Sequence, residues 1–263
     1  MPPTVKVKAS DSAVKKRRED DARRVLDEFG DLLPGCRLLC FFDDEDCQEF
    51  KLIMGQGNRA FHRPITDNTP FAGWPEYITG SIFVDDPASF LFKRMFDHVI
   101  YLHGSTCADR VGMTMSFAHE LQHVIQRVKV PKLLAANGLF RYLPKTLLQS
   151  VEFQWSDIPT EREARAVAKG IAVSLHGSEA VSELLRQRAS TTNDPIELAD
   201  LRFIQELDTS TPYLLKDETL ALFARFKDHR PEFESLIEEF KFNPDFEAVD
   251  LDSFMPPVVD SKQ

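Results

Sequence analysis

Residues 113–127 read MTMSFAHELQHVIQR, and their periodicity decides how the rest of the chain is read. Met113, Phe117, Leu121 and Val124 recur at helical spacing and make one apolar stripe. His119, His123 and Gln126 fall on another face. Residues four apart on a helix lie one above the other, so His119 and His123 can aim two imidazoles at one point. Tetrahedral zinc takes nitrogen ligands at about 2.0–2.1 Å, and this spacing suits it. Glu120 follows the first His and is placed to take a proton from a water whose pKa a metal lowers toward about 7. The plainer reading of the same residues is an amphipathic helix with two His on its polar face.

Working outward, the apolar run from Cys36 to Phe42 predicts a buried strand, closed by the acidic turn Asp43–Asp46. Glu49–Met54, Gly80–Val84 and His98–His103 are further strand candidates, with a loop at Pro64–Pro75 that holds Phe71 and Trp74, and a short helix at Ala88–Phe96. Asp11 to about Glu28 predicts a charged helix whose Lys15–Arg18 cluster lies beside Glu19–Asp21. Opposite charges at that spacing predict a solvated face, with Val25, Leu26 and Phe29 docking the helix.

Downstream the pattern becomes helical. The motif helix should stop before Pro131. A mixed stretch from Lys132 to Gln154 follows. Ser156–His176 predicts a helix with Thr160 as N-cap and Glu163 completing a capping box. Asp194 followed by Pro195 starts another helix, and Asp217–Lys227 and Pro231–Phe240 are two more. Strands early and helices late give an α+β class. The expected organisation is a disordered terminus at 1–12, one domain at 13–242 and a loosely ordered tail at 243–263. The domain would have an α/β part at about 13–130 and a helical part at about 131–242.

Composition narrows function. The hydrophobic content of 43% supports a real core. The net charge of −10 argues against nucleic acid, which needs basic surface. The N-terminus lacks an apolar signal core, and no run reaches the roughly 18 apolar residues of a spanning helix, so a cytoplasmic protein is expected. Cys36, Cys40, Cys47 and Cys107 are expected as thiols, with Cys36 and Cys40 buried in a strand rather than forming a metal cluster.

Two His do not complete a catalytic zinc site; a third protein ligand and an open position are needed. A third His in the pattern HExxHxxGxxH is excluded, because Gln126 and Lys129 stand at the required Gly and His. Nor does a Gly-Thr-x-Asp signature occur downstream. What remains is an acid on a later helix, Glu161 or its rival Glu163, within Glu161-Arg162-Glu163-Ala164-Arg165.

An HELxH helix followed by an ExxA helix resembles the gluzincin metallopeptidases, and among them the short cytoplasmic-type members; the likeness covers residues 113–172. It implies a zincin-like fold, a small N-terminal sheet with the active-site helix followed by a mainly helical C-terminal half. It also implies zinc as cofactor, His119, His123 and Glu161 as ligands, Glu120 as general base, and a protein or peptide substrate. The sequence departs from the family at Arg165, where an Asp or Asn often stands; Arg has no acceptor and cannot orient a ligand His. That departure favours the alternative of a non-catalytic zincin-fold regulator or protein-binding module. Candidate oxyanion donors are His176, Tyr142, Tyr213 and Arg165. His62, His98, His103 and His229 lack partner spacing and are expected to be structural or exposed.

Overall fold

The apolar run after Cys36 forms a strand, Arg37–Phe42, at the centre of a small sheet. It is seen in a computed structural model that describes residues 4–8, 12–33, 35–42, 60–64, 97–210, 213–240, 246 and 249–255. The sheet contains β1 (Thr4–Lys8), β2 (Arg37–Phe42), β3 (Ala60–Pro64) and β4 (His98–Leu102), in the order β1-β2-β4-β3. β1, β2 and β4 run parallel, with Thr4 opposite Arg37 and Leu38 opposite His98. β3 is antiparallel to β4, with Ala60 opposite Leu102. All five residues of β4, an inner strand of the sheet, are buried.

The helices are α1 (Ser12–Phe29), α2 (Gly104–Cys107), α3 (Arg110–Lys129), α4 (Pro131–Gly138) and α5 (Lys145–Ser150). They continue with α6 (Pro159–His176), α7 (Ser178–Thr191), α8 (Pro195–Glu206), α9 (Leu215–Arg225) and α10 (Arg230–Glu239). The described residues are therefore mainly helical, with one small mixed sheet. None of their helices is long and apolar enough to cross a membrane.

The chain forms two compact units, 1–125 with 167–193, and 126–166 with 194–263. The expected division near residue 130 holds only for the first crossing. Residues 167–193 return to the sheet unit because Ala168 and Ile171, with Val167 and Leu175 beside them, belong to its core. That core is largely aliphatic: Ala22, Val25 and Leu26 of α1, Leu38 of β2, Ile100 of β4 and the α3 stripe. The core of the other unit is aromatic. Phe140 stacks on Phe153 at 5.7 Å between ring centroids and meets Phe223, Phe226 and Phe233 at 4.9, 5.1 and 5.3 Å. Such tilted and edge-on pairs add about 0.5–1.5 kcal/mol each beyond their area. Asp194 caps α8 by accepting from the Ile196 amide at 2.9 Å, with Pro195 at the first helical position, as the sequence predicts.

Four expectations need correction. Residues 4–8 are a strand, not part of a disordered terminus; the alternation VKVK is a period-two pattern whose charge disguises it. β3 went unrecognised, because AFHRP carries Arg, His and Pro in only five residues. The charged helix α1 is not solvated throughout: Arg18 and Asp21 are 2% and 5% exposed. Arg18 donates to the Cys107 carbonyl, and Asp21 pairs with Arg110. In the tail, Phe246, Leu251 and Met255 are buried in the aromatic core, and Arg230 donates to the Met255 carbonyl. Apolar residues spaced singly among acids show no periodicity, so only tertiary contact reveals them. The strands expected at Glu49–Met54 and Gly80–Val84, the loop beyond Pro64, the helix at Ala88–Phe96 and Cys47 lie outside the described residues.

Candidate metal centre

α3 starts where Asp109 Oδ1 accepts the Gly112 amide at 2.7 Å, a side chain satisfying one of the unpaired amides of the first turn. It ends before Pro131: Val130 has left helical geometry at φ −138° and ψ 50°. Between these limits Met113, Phe117, Leu121 and Val124 are fully buried, as their spacing predicts. The opposite face is not left to solvent. Glu120, His123 and Gln126 are 7%, 8% and 1% exposed, and His119 is half-buried. Burying four polar side chains on one helix is costly unless each is hydrogen-bonded or bound to an ion.

The two imidazoles meet. Nε2 of His119 and Nε2 of His123 are 3.1 Å apart, with ring centroids at 4.7 Å and planes at 89°. Two nitrogens on one tetrahedral ion at 2.0–2.1 Å would stand roughly 3.3–3.4 Å apart. The observed separation is close to that, and it also admits a single N–H···N hydrogen bond. Glu161 joins them. It sits in the first turn of α6 and is 3% exposed. One ligand atom from each of His119, His123 and Glu161 lies within 4.8 Å of the others. Two imidazole nitrogens and a carboxylate oxygen suit zinc, so this group could hold a metal ion.

The acid rival to Glu161 is otherwise engaged. Gln126 Nε2 donates to Glu163 Oε2 at 2.7 Å and to the Thr160 carbonyl at 2.9 Å. The capping box expected of Thr160 and Glu163 does not form. Thr160 lies inside the helix and is 2% exposed, because Pro159 takes the first helical position and starts α6 two residues early. Pro159 was the signal in the sequence. A capping box does form just upstream, between Gln154 and Asp157.

The candidate oxyanion donors fare differently. His176 ends the helix that Glu161 begins, about 22 Å along the axis at 1.5 Å per residue, so it is not part of the His119–His123–Glu161 group. Its Nε2 is 2.9 Å from Thr114 Oγ1. Burial pulls its pKa below the usual value, Arg24 and Arg110 push the same way, and Asp109 and Asp21 oppose. Tyr142 is 46% exposed and packs its ring on Phe240 and Phe246 at 4.6 and 5.6 Å. The Tyr213 hydroxyl has its pKa raised, first by burial. Arg165 pairs with Asp200 at 2.8 Å. His98 and His103 are buried, and His229 Nδ1 faces Glu232 at 3.2 Å. Burial pushes the Cys36 thiol up to about 11 and the Cys40 thiol higher still, so both stay protonated in the core.

One residue was missed by sequence reading. Arg141, on a 3-10 turn at Leu139–Arg141, pairs its guanidinium with Glu161 Oε1. Nothing in its local sequence marks it, since the partner is set by the return of the chain at Pro159. No protein-family model, curated protein or solved structure matches this chain.

Proposed function

We propose that the chain is a zinc-dependent metallopeptidase of zincin type, with His119, His123 and Glu161 as ligands and Glu120 as general base. The observation that supports this most is the grouping of three ligand atoms within 4.8 Å on a buried HExxH helix and its downstream acid. Three protein ligands of N, N and O type leave a fourth position, the arrangement of catalytic rather than structural zinc. A bound zinc would supply Lewis acidity for a peptide carbonyl and bring the pKa of water toward about 7. Glu120 then takes a proton from the attacking water and returns it to the leaving amine. Gln126 fixes the start of α6 through Thr160 and occupies Glu163, so that Glu161 is the acid presented. A protein or peptide substrate and a reducing, cytoplasmic setting belong to the same proposal, and the buried thiols of Cys36 and Cys40 suit it.

A second reading has one observation in its favour: Arg141 already neutralises the buried carboxylate of Glu161, as in a purely structural pair in a non-catalytic zincin-fold protein. The two readings part on Glu120. In a peptidase, Glu120→Gln loses at least about 10²-fold of hydrolysis of a generic peptide substrate while zinc content stays at the wild-type level. Equal cleavage by wild type and variant, or none by either with zinc bound, contradicts the peptidase reading.

A further inference from the structure

Resting on the metal-centre reading above, we propose that Arg141 is the positioning residue for Glu161, and that Trp155 in turn holds Arg141. The guanidinium Nη2 bonds Glu161 Oε1, and its carbon lies 5.1 Å over the Trp155 ring. Arg141 is half-exposed while Glu161 is almost fully buried, so the arginine reaches inward from the surface to a carboxylate that water does not reach. A planar guanidinium on an aromatic face loses less freedom when it makes such a bond, and the bond holds Oε1 in place. The 3-10 turn that carries Trp155 is closed by the Gln154–Asp157 box, and Arg225 bonds Asp157 at 2.8 Å. Arg165, engaged with Asp200, takes no part in this contact.

The sign of the effect separates positioning from simple charge. By Coulomb repulsion alone, removing the Arg141 cation would strengthen binding of a dication nearby. Loss of an orienting contact weakens it, by about 10–100-fold in known outer-shell substitutions. The test is titration of the full-length protein with Co(II), reading the affinity by competition with a chromophoric chelator and the coordination by the visible absorption bands. Arg141→Gln and Trp155→Ala are each expected to weaken Co(II) about tenfold and to alter the bands. The double variant is expected to be no weaker than Arg141→Gln, since both act through one contact. Trp155→Ala leaves the Arg141–Glu161 pair intact as chemistry and serves if Arg141→Gln does not fold. Glu161→Gln is the control for the reading beneath. If Glu161→Gln weakens Co(II) but Arg141→Gln binds as tightly as wild type or tighter, with unchanged bands, the positioning role is overturned and the metal site stands. If wild type takes up no Co(II), or Glu161→Gln changes nothing, the ligand set falls and the positioning role falls with it.

Discussion

Two polar clusters on α3 are buried to similar depth and differ in the chemistry they assemble. Near the start of α3, Arg18 meets the Cys107 carbonyl, Asp21 meets Arg110, and Thr114 meets His176. Each of these contacts couples a donor with an acceptor. Further along, His119, His123 and Glu161 bring together three groups whose common property is a lone pair offered to a cation. The first arrangement is how a protein makes buried polarity tolerable; the second is how it makes a place for an ion. Burial alone does not separate them, and neither does residue type, since both contain His and a carboxylate. The difference lies in how many acceptors converge on one point: two imidazole nitrogens and a carboxylate oxygen in the second cluster, with Arg141 the donor to that oxygen's carboxylate.

That contrast can be broken by substitutions in either cluster. The largest effect is expected from His123→Ala, which should weaken zinc by at least about 10³-fold while leaving the unfolding midpoint in chelator unchanged, since a catalytic metal need not hold the fold together. Parallel metal analysis and chemical denaturation check both halves. Next comes Arg18→Met, which removes a buried cation bonded to a carbonyl and should cost about 2–3 kcal/mol in urea unfolding, with zinc content unaltered. If that variant lost its metal instead, the two clusters would not be independent. Asp21→Asn should cost less, about 1–2 kcal/mol, because its partner Arg110 is half-exposed and can turn to solvent. The smallest effect is a pH dependence. His176 has its folded pKa below the unfolded value of about 6.5, so the unfolded chain binds the extra proton. Stability from this group is therefore fully present above about pH 6.5 and is lost as pH falls below it. His176→Gln should flatten that part of the profile, and an unchanged slope would place the titration elsewhere.

The same contrast explains what the sequence could tell. The α3 stripe, the stop at Pro131 and the start at Asp194 depend on local spacing and backbone chemistry, and all three are legible within a few residues. His119 and His123 are one helical turn apart, so their meeting is also a local fact. Glu161 required the family resemblance, and Glu163 is held by Gln126 rather than by a cap on Thr160. Arg18, Arg141 and the buried Leu251 and Met255 were opaque for a shared reason. Each acquires its role from a partner far along the chain, and a charged or isolated apolar residue carries no period to announce it. β1 and β3 were missed because a five-residue strand with Lys, Arg or Pro gives too few repeats to show alternation.

The most direct measurement is the zinc content of the full-length protein purified without added metal, compared with the His119→Ala and Glu161→Ala variants by elemental mass spectrometry. About one zinc per wild-type chain, removed by His119→Ala and reduced by Glu161→Ala, is the expected result. Wild-type protein without zinc that also fails to take it up on dialysis, or the same content in all three proteins, would contradict a metal centre at His119, His123 and Glu161.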